Sequence, residues 1–275
     1  MPEADVYAIR ATQPAPACEP FLDGFVSYEF RAKVGDQCIE RRVLRRPGTG
    51  PTVVLIHEIP TVTRKTVRLA ELLGAKGFQV VMPVLVGRPA EKPGPRVVFG
   101  AVAKLCVSRE FAALAVGETG AIVDWLRALI RHEHDPRRGA AVGVIGMCFS
   151  GGFALATTLD PLVGAAVVSQ PGLPFPIWFD RLRDIGLSSG DLDDVRERVG
   201  AGSCLRGLRY SSDVKSPVAR FDRLKCEFPE METVQIQTGN PNKHSVLGDA
   251  LDAPDDSPLC DALNGTIGFL ERRLL

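Results

Sequence analysis

A buried-strand pattern that ends in a tight turn of small residues constrains this chain more than any other feature. Residues 141–147 are mostly apolar and run into Gly146-Met-Cys148-Phe-Ser150, after which helical spacing begins. This order is close to the G-x-S-x-G nucleophile elbow, with cysteine at the central position. A helix that begins at once would place the Cys148 thiol near free backbone N–H groups, which favour a thiolate. The segment therefore predicts a strand–turn–helix unit with a reactive cysteine; the alternative is a small, buried and inert Cys148.

Predicted strands and helices alternate along most of the chain. Two strands, at 25–30 and 38–44, are joined by a glycine-containing turn typical of an antiparallel hairpin. Further strands are predicted at 52–57, 78–82, 142–147, 164–169, 205–210 and 232–237, and helices at 67–73, 108–131, 191–199, 217–228 and 259–274. Because crossover helices join parallel strands, we predict an α/β fold: a mainly parallel central sheet with helices on both faces and an N-terminal antiparallel hairpin.

Proline distribution marks two segments outside this alternation. Residues 1–20 contain four prolines and little periodicity, which predicts an irregular N-terminal arm. Residues 171–187 are also rich in proline and predict an irregular excursion over a site. No composition change typical of a linker interrupts the remainder, so residues 21–275 are predicted to form a single domain.

The charge balance and the cysteine pattern exclude several classes of protein. Lys plus Arg equals Asp plus Glu, at 33 each, which argues against a general binder of nucleic acid or anionic membranes. No apolar run approaches the roughly 20 residues that span a bilayer, and the N-terminus lacks a signal-peptide pattern, so a cytoplasmic location is expected. The seven cysteines include no C-x-x-C pair, and no nucleotide motif is present; neither a metal nor another cofactor is expected.

A nucleophilic cysteine needs a base, and the base needs an acceptor that orients it. His244 is the one histidine that follows Cys148, and it lies in a loop after the last predicted strand. Asp213 follows the predicted strand 205–210 and therefore reaches the same edge of a parallel sheet. The alternatives are a solvated loop histidine and an aspartate that belongs to a turn or caps the next helix. Competing acids occur elsewhere, at Asp180, Asp184, Asp191, Asp193 and Asp194.

Together these motifs resemble the dienelactone hydrolase family of α/β-hydrolases, in which a Cys-His-Asp triad cleaves a lactone or ester. The resemblance covers residues 25–275 and rests on the cysteine turn at 146–152, the 57–60 segment, Asp213 and His244. It implies an α/β-hydrolase fold and a hydrolase whose partner is a small-molecule ester or lactone.

The resemblance also implies a role for each motif residue. Cys148 would be the nucleophile, Asp213 the orienting acid and His244 the base. Glu58 matches a glutamate that meets the thiol in the resting enzyme of that family and is displaced when substrate binds. A carboxylate can hold a neutral thiol by accepting its proton in a hydrogen bond.

Further residues are expected to touch the substrate. The backbone N–H groups of Phe149 and Ile59 would form the oxyanion hole. Arg88, in the loop after a predicted strand, could match an arginine that binds the substrate carboxylate in the family, and Arg109 is a second candidate. Trp178 is a candidate for lining an acyl pocket, the alternative being a core position.

Three positions differ from related patterns. Ser150 replaces a glycine of the family's turn, and Gly248 stands where an arginine follows the catalytic histidine by four residues. Val246 occupies the position where glutamine amidotransferases, which also use a cysteine elbow, carry a glutamate. Two other functions therefore stay open: another cysteine-elbow enzyme such as an amidase, and a non-catalytic α/β-hydrolase-fold protein that binds a small ligand. The oligomeric state is open as well.

Overall fold

The central sheet is mixed, and most of its pairings are parallel. A computed structural model describes residues 6–17, 19–89, 91, 94–107, 120–172, 182–200 and 204–275. Within them the strands are β1 (Val6–Ala11), β2 (Ala15–Pro16), β3 (Val26–Val34), β4 (Gln37–Arg46), β5 (Thr52–Ile56), β6 (Gln79–Pro83), β7 (Val142–Met147), β8 (Val163–Ser169), β9 (Cys204–Tyr210) and β10 (Glu232–Ile236). Their order is β1-β3-β4-β6-β5-β7-β8-β9-β10, with β2 beside β3. The pairs from β6 through β10 are parallel, and the pairs among β1 to β4 and between β4 and β6 are antiparallel.

Helices cover both faces of this sheet. They are α1 (Arg64–Ala75), α2 (Pro95–Val107), α3 (Ala121–Glu133), α4 (Gly151–Thr157), α5 (Ser189–Gly200), α6 (Val218–Glu227), α7 (Val246–Ala250) and α8 (Pro258–Leu274). Apolar residues of α1, α7 and α8 pack on one face, and those of α3 to α6 pack on the other. Strands β5 and β7 are buried along their whole length, as expected for strands covered on both sides. The predicted fold class, including the N-terminal hairpin of β3 and β4, is confirmed.

The N-terminal segment differs from the predicted irregular arm. Strand β1 pairs antiparallel with β3, and the two-residue β2 also pairs with β3. The segment Val6–Ala11 lies between two prolines and contains none itself. Each of its residues therefore has a backbone N–H that can take part in sheet pairing, and the segment extends the sheet by one strand. That residues 21–275 form a single domain stays a prediction.

Helix α2 is absent from the sequence predictions. It begins at a proline, which suits the first turn of a helix because the missing N–H is not needed there. Its outer surface exposes Val98 and Phe99, so no polar face marks its periodicity. Of the predicted helix 108–131, residues 108–119 lie outside the described residues, and the remainder forms α3.

The ends of the parallel strands place the candidate residues together. Cys148 follows β7, Asp213 follows β9, and His244 lies in the loop after β10. Glu58 follows β5, whose Ile56 pairs with Gly146 of the neighbouring β7. All four therefore lie at the carboxyl edge of the parallel strands, where sites in open α/β sheets assemble.

Candidate active site

The turn that carries Cys148 is strained and tightly packed. Cys148 has a φ of 58°, in the left-handed region that residues other than glycine rarely adopt. A 3-10 turn over Cys148–Ser150 leads directly into α4. A Cβ atom added at Gly146 would lie 2.2 Å from the carbonyl oxygen of Ser150 and 2.7 Å from the Cβ of Ala154. The strand and the helix therefore approach each other so closely that only glycine fits at position 146.

Ser150 uses its hydroxyl to bind both neighbouring strands. Its Oγ accepts a hydrogen bond from the Met147 N–H at 2.8 Å, and it lies 2.8 Å and 3.1 Å from the carbonyl oxygens of Met147 and Ile56. The side chain is fully buried. The serine that replaces glycine in this turn therefore links the end of β7, before the cysteine, to the end of β5, before Glu58.

Replacing this serine by alanine should loosen the turn. In Ser150→Ala the Met147 N–H loses its acceptor in a buried setting, so we expect the free energy of unfolding to fall by about 1–3 kcal/mol. Urea unfolding followed by circular dichroism measures this change. The matched control is Ser257→Ala at the start of α8, where the hydroxyl caps a helix near the surface and about 1 kcal/mol is expected. A Ser150→Ala protein as stable as the wild type would contradict the role of the hydroxyl.

His244 and Asp213 form a buried pair. The Nδ1 atom of His244 lies 2.7 Å from Oδ2 of Asp213, whose side chain is fully buried. The other carboxylate oxygen accepts hydrogen bonds from the backbone N–H groups of Lys215, at 2.9 Å, and Ser216, at 3.2 Å. Both oxygens of Asp213 are thus occupied by donors, which fixes the carboxylate and makes Nδ1 the protonated nitrogen of the ring.

The remaining ring nitrogen of His244 faces the cysteine side of the site. It is buried, and no described side chain meets it in hydrogen-bond geometry, although the Cys148 sulfur interacts with the ring. Burial lowers the pKa of His244, but the hydrogen bond to Asp213 and the interaction with the Cys148 thiol outweigh it and raise the pKa to about 10. A raised pKa favours the protonated ring, which is the form that can donate a proton to a leaving group.

Glu58 lies beside this pair but does not bind the thiol. Its Oε1 accepts a hydrogen bond from the Ser245 hydroxyl at 2.7 Å, and its Oε2 accepts one from Nε2 of Gln170 at 3.3 Å. Within the described residues no hydrogen bond joins Glu58 to Cys148, which differs from the expected resting contact. Each oxygen of Glu58 has a better donor than a thiol, whose S–H is a weak one. Burial raises the pKa of Glu58, and the Ser245 hydrogen bond and the His244 charge oppose this shift.

The two backbone amides predicted to form an oxyanion hole lie on adjacent strand ends. Phe149 is the second residue of the 3-10 turn, so its N–H has no acceptor within that turn. Ile59 follows Glu58 in the neighbouring loop. His57 supports this loop: its Nδ1 donates to the Glu58 carbonyl at 2.8 Å, and its Nε2 accepts from the Leu85 N–H at 3.1 Å. Burial lowers the pKa of His57 to about 4, so this ring stays neutral and serves as a support.

Of the three residues predicted to contact the substrate, the structure describes only Arg88. Arg88 is exposed in the loop after β6. Arg109 and Trp178 lie outside the described residues. Gly248 is buried on α7, and a Cβ there would lie 2.4 Å from the Ser245 hydroxyl and 3.4 Å from Cδ of Lys65. An arginine at that position would displace the serine that binds Glu58, so the surroundings of Gly248 leave no room for that side chain.

Three residues at the site escaped the sequence analysis. Gly172 donates its N–H to the Cys148 carbonyl at 3.0 Å, and a Cβ there would lie 3.7 Å from both the Cys148 sulfur and Cε1 of His244. Arg220 of α6 is almost fully buried, donates to the Pro171 carbonyl at 3.2 Å and interacts electrostatically with Cys148. Gln170 binds Glu58. Gly172 belongs to the proline-rich segment 171–187, where the sequence indicated only an excursion over a site, and Gln170 directly precedes that segment.

Comparison with known proteins identifies the family that part of the chain resembles. Residues 41–177 match the model of the Dienelactone hydrolase family, so the predicted resemblance to that family is confirmed. The match supports an enzyme of the hydrolase class. No curated protein matches the chain. In the part of the chain that the structure describes, no helix has both the length and the hydrophobicity needed to cross a bilayer.

Solved structures share the fold at low sequence identity. A candidate dienelactone hydrolase from Klebsiella pneumoniae is 17% identical with a TM-score of 0.59, and the alignment covers 91% of this chain and all of that one. A zinc-bound cold-adapted esterase from an Arctic intertidal metagenomic library is 16% identical with a TM-score of 0.60, over 96% of this chain and 100% of the other. A dienelactone hydrolase-like promiscuous phosphotriesterase from metagenomic libraries is 15% identical with a TM-score of 0.60, over 92% and 100%.

Proposed function

The chain is dienelactone hydrolase-like over residues 41–177, and on that premise we propose that it cleaves carboxylic esters or lactones through a Cys148-His244-Asp213 triad and an acyl-enzyme. The observation that carries this proposal is the buried His244–Asp213 hydrogen bond of 2.7 Å, next to a cysteine held at a φ of 58°. A nucleophile, a base that interacts with it and an acid that orients the base are the parts that covalent acyl transfer needs.

The first half of the reaction forms the acyl-enzyme. The thiolate of Cys148 attacks the carbonyl carbon, and the negative charge moves to the carbonyl oxygen, next to the N–H groups of Phe149 and Ile59. When the tetrahedral intermediate collapses, the C–O bond to the leaving group breaks. Protonated His244 gives its proton to the departing alkoxide, and a thioester remains on Cys148.

The second half releases the acid. Neutral His244 takes a proton from water, and the resulting hydroxide attacks the thioester carbonyl. Collapse of this intermediate breaks the C–S bond, which returns the thiolate next to a protonated imidazole. Asp213 keeps the same hydrogen bond to Nδ1 throughout, so His244 alternates between acid and base without turning its ring.

The test is hydrolysis of a short p-nitrophenyl ester, with a dienelactone assayed in parallel. We expect Cys148→Ala and His244→Ala each to lower kcat/KM by about 10³-fold or more, since each removes a member of a unit that acts together. Cys226→Ala, which changes an exposed cysteine of α6, is the matched control and should retain wild-type activity. Ester turnover that persists in Cys148→Ala would overturn the triad.

A further inference from the structure

We propose that Gln170 is a positioning residue that holds Glu58 away from Cys148, so that the thiol is paired with His244 before any substrate arrives. This inference rests on the proposed function, because it concerns the state of the same nucleophile. We call the two groups that bind Glu58 the Glu58 latch: the Gln170 amide and the Ser245 hydroxyl.

Strand register puts Glu58 within reach of the cysteine. Ile56 of β5 pairs with Gly146 of β7 in parallel, and Glu58 and Cys148 each lie two residues beyond these partners. The Ser150 hydroxyl links the same two strand ends. A carboxylate at this place therefore has a short path to the thiol unless other groups hold it.

The Glu58 latch supplies those groups. Ser245 donates to one carboxylate oxygen at 2.7 Å and Gln170 to the other at 3.3 Å. The orientation of the Gln170 amide follows from its other contact: the Val246 N–H, which can only donate, lies 3.4 Å from Oε1. Nε2 must therefore face Glu58. Ser169 also hydrogen-bonds to the same Oε1 through its hydroxyl.

The backbone of Gln170 is itself held in a strained conformation. Its φ is 35°, one of two positive values among the described residues other than glycine, and its side chain is fully buried. Its N–H donates to the Leu208 carbonyl of β9 at 2.6 Å. A buried residue with strain of about 1–3 kcal/mol persists where the surroundings determine it, and such residues cluster at functional sites.

A carboxylate that reached Cys148 would accept the S–H proton and would oppose a thiolate by like charge. The ionisable groups that act on Glu58 are His244, which is favourable, and Asp249, which is not; those near Cys148 are His244 and Arg220. With Glu58 held by the latch, His244 and Arg220 are the cationic groups near Cys148, and among the described residues no carboxylate forms a hydrogen bond with its sulfur.

The rate of Cys148 alkylation by iodoacetamide at pH 7 tests this directly, because the thiolate is the form that reacts. The rate is followed by mass spectrometry of the Cys148 peptide in the full-length protein. Gln170→Met keeps the length of the side chain but removes the amide, and Ser245→Ala removes the other donor. We expect each variant to alkylate about tenfold more slowly than the wild type, because Glu58 can then approach the thiol.

A second substitution separates positioning from a merely structural effect. Glu58→Gln in the Gln170→Met background removes the carboxylate charge and should restore the alkylation rate to within about twofold of the wild type. Gln237→Met, at an exposed position after β10, is the matched control and should leave the rate unchanged. If Gln170→Met does not fold, Ser245→Ala with and without Glu58→Gln makes the same comparison.

Three outcomes overturn the inference. They are wild-type alkylation rates in both latch variants, slower rates that Glu58→Gln does not restore, and an equal loss in the Gln237→Met control. Failure of the proposed function has a different signature: Cys148 would then alkylate at the same rate in His244→Ala as in the wild type. If the Cys148 alkylation rate depends on His244 but not on Gln170, the proposed triad stands and only the proposed role of the latch is rejected.

Discussion

Asp213→Asn is expected to lower kcat/KM for ester hydrolysis by about 10³–10⁴-fold while leaving the fold intact. The asparagine oxygen can keep the hydrogen bonds from the N–H groups of Lys215 and Ser216, so its NH₂ group would face Nδ1 of His244. That nitrogen must then become an acceptor, which moves the ring proton to the nitrogen on the cysteine side. A base that already carries its proton there cannot accept one from the thiol or from water.

The matched control is Asp222→Asn on α6. It makes the same chemical change at an exposed ion pair with Lys225, so kcat/KM should stay within about twofold of the wild type. The Asp213→Asn variant should regain part of its activity at alkaline pH, because hydroxide forms the thiolate without help from the imidazole. A variant with wild-type kcat/KM at pH 7 would show that Asp213 does not orient the base.

Gly146→Ala is expected to lower the free energy of unfolding by about 3 kcal/mol or more, the upper part of the range for overpacked cores. The added methyl group would lie 2.2 Å from a backbone oxygen, so β7 and α4 would have to move apart. The same movement would shift Cys148, so activity should fall even in the fraction that remains folded. Urea unfolding and the ester assay on the same sample measure both effects.

Gly190→Ala provides the matched control for this prediction. Gly190 lies in the first turn of α5, and a Cβ there would meet nothing within 4 Å. Alanine has a higher helix propensity than glycine by about 1 kcal/mol, so this variant should be as stable as the wild type or slightly more stable. If Gly146→Ala had the same free energy of unfolding as Gly190→Ala, the tight approach of the strand and the helix would be contradicted.

The sequence predicts the positions of the candidate residues better than it predicts their contacts. Strand–turn–helix patterns place Cys148, Asp213 and His244 at one sheet edge, because parallel strands all end there. The partners of Glu58 could not be predicted in the same way. Gln170 follows Ser169 at the end of an otherwise apolar strand, and nothing in its neighbours along the chain indicates a positive φ or a carboxylate partner.

Other differences between the sequence predictions and the structure have local physical causes. Strand β1 forms through backbone pairing with β3, which composition alone does not encode. Helix α2 exposes apolar residues on its surface, so the periodicity that marks an amphipathic helix is weak. The buried Arg220 lies in a segment whose sequence is typical of an ordinary polar helix. Its burial could not be predicted, because a buried charge depends on carbonyl acceptors that are supplied by loops distant in the sequence.

Gly172 limits how this site can change during evolution. The space in front of the sulfur and the imidazole is bounded by a residue that contributes no side chain, and the Lys215 carbonyl lies 3.0 Å from where a Cβ would be. Any substitution of Gly172 adds atoms beside the Cys148 sulfur and the His244 ring, so the new side chain would occupy space at the proposed active site. New substrate preferences are therefore more accessible through changes in the surrounding loops than through this position.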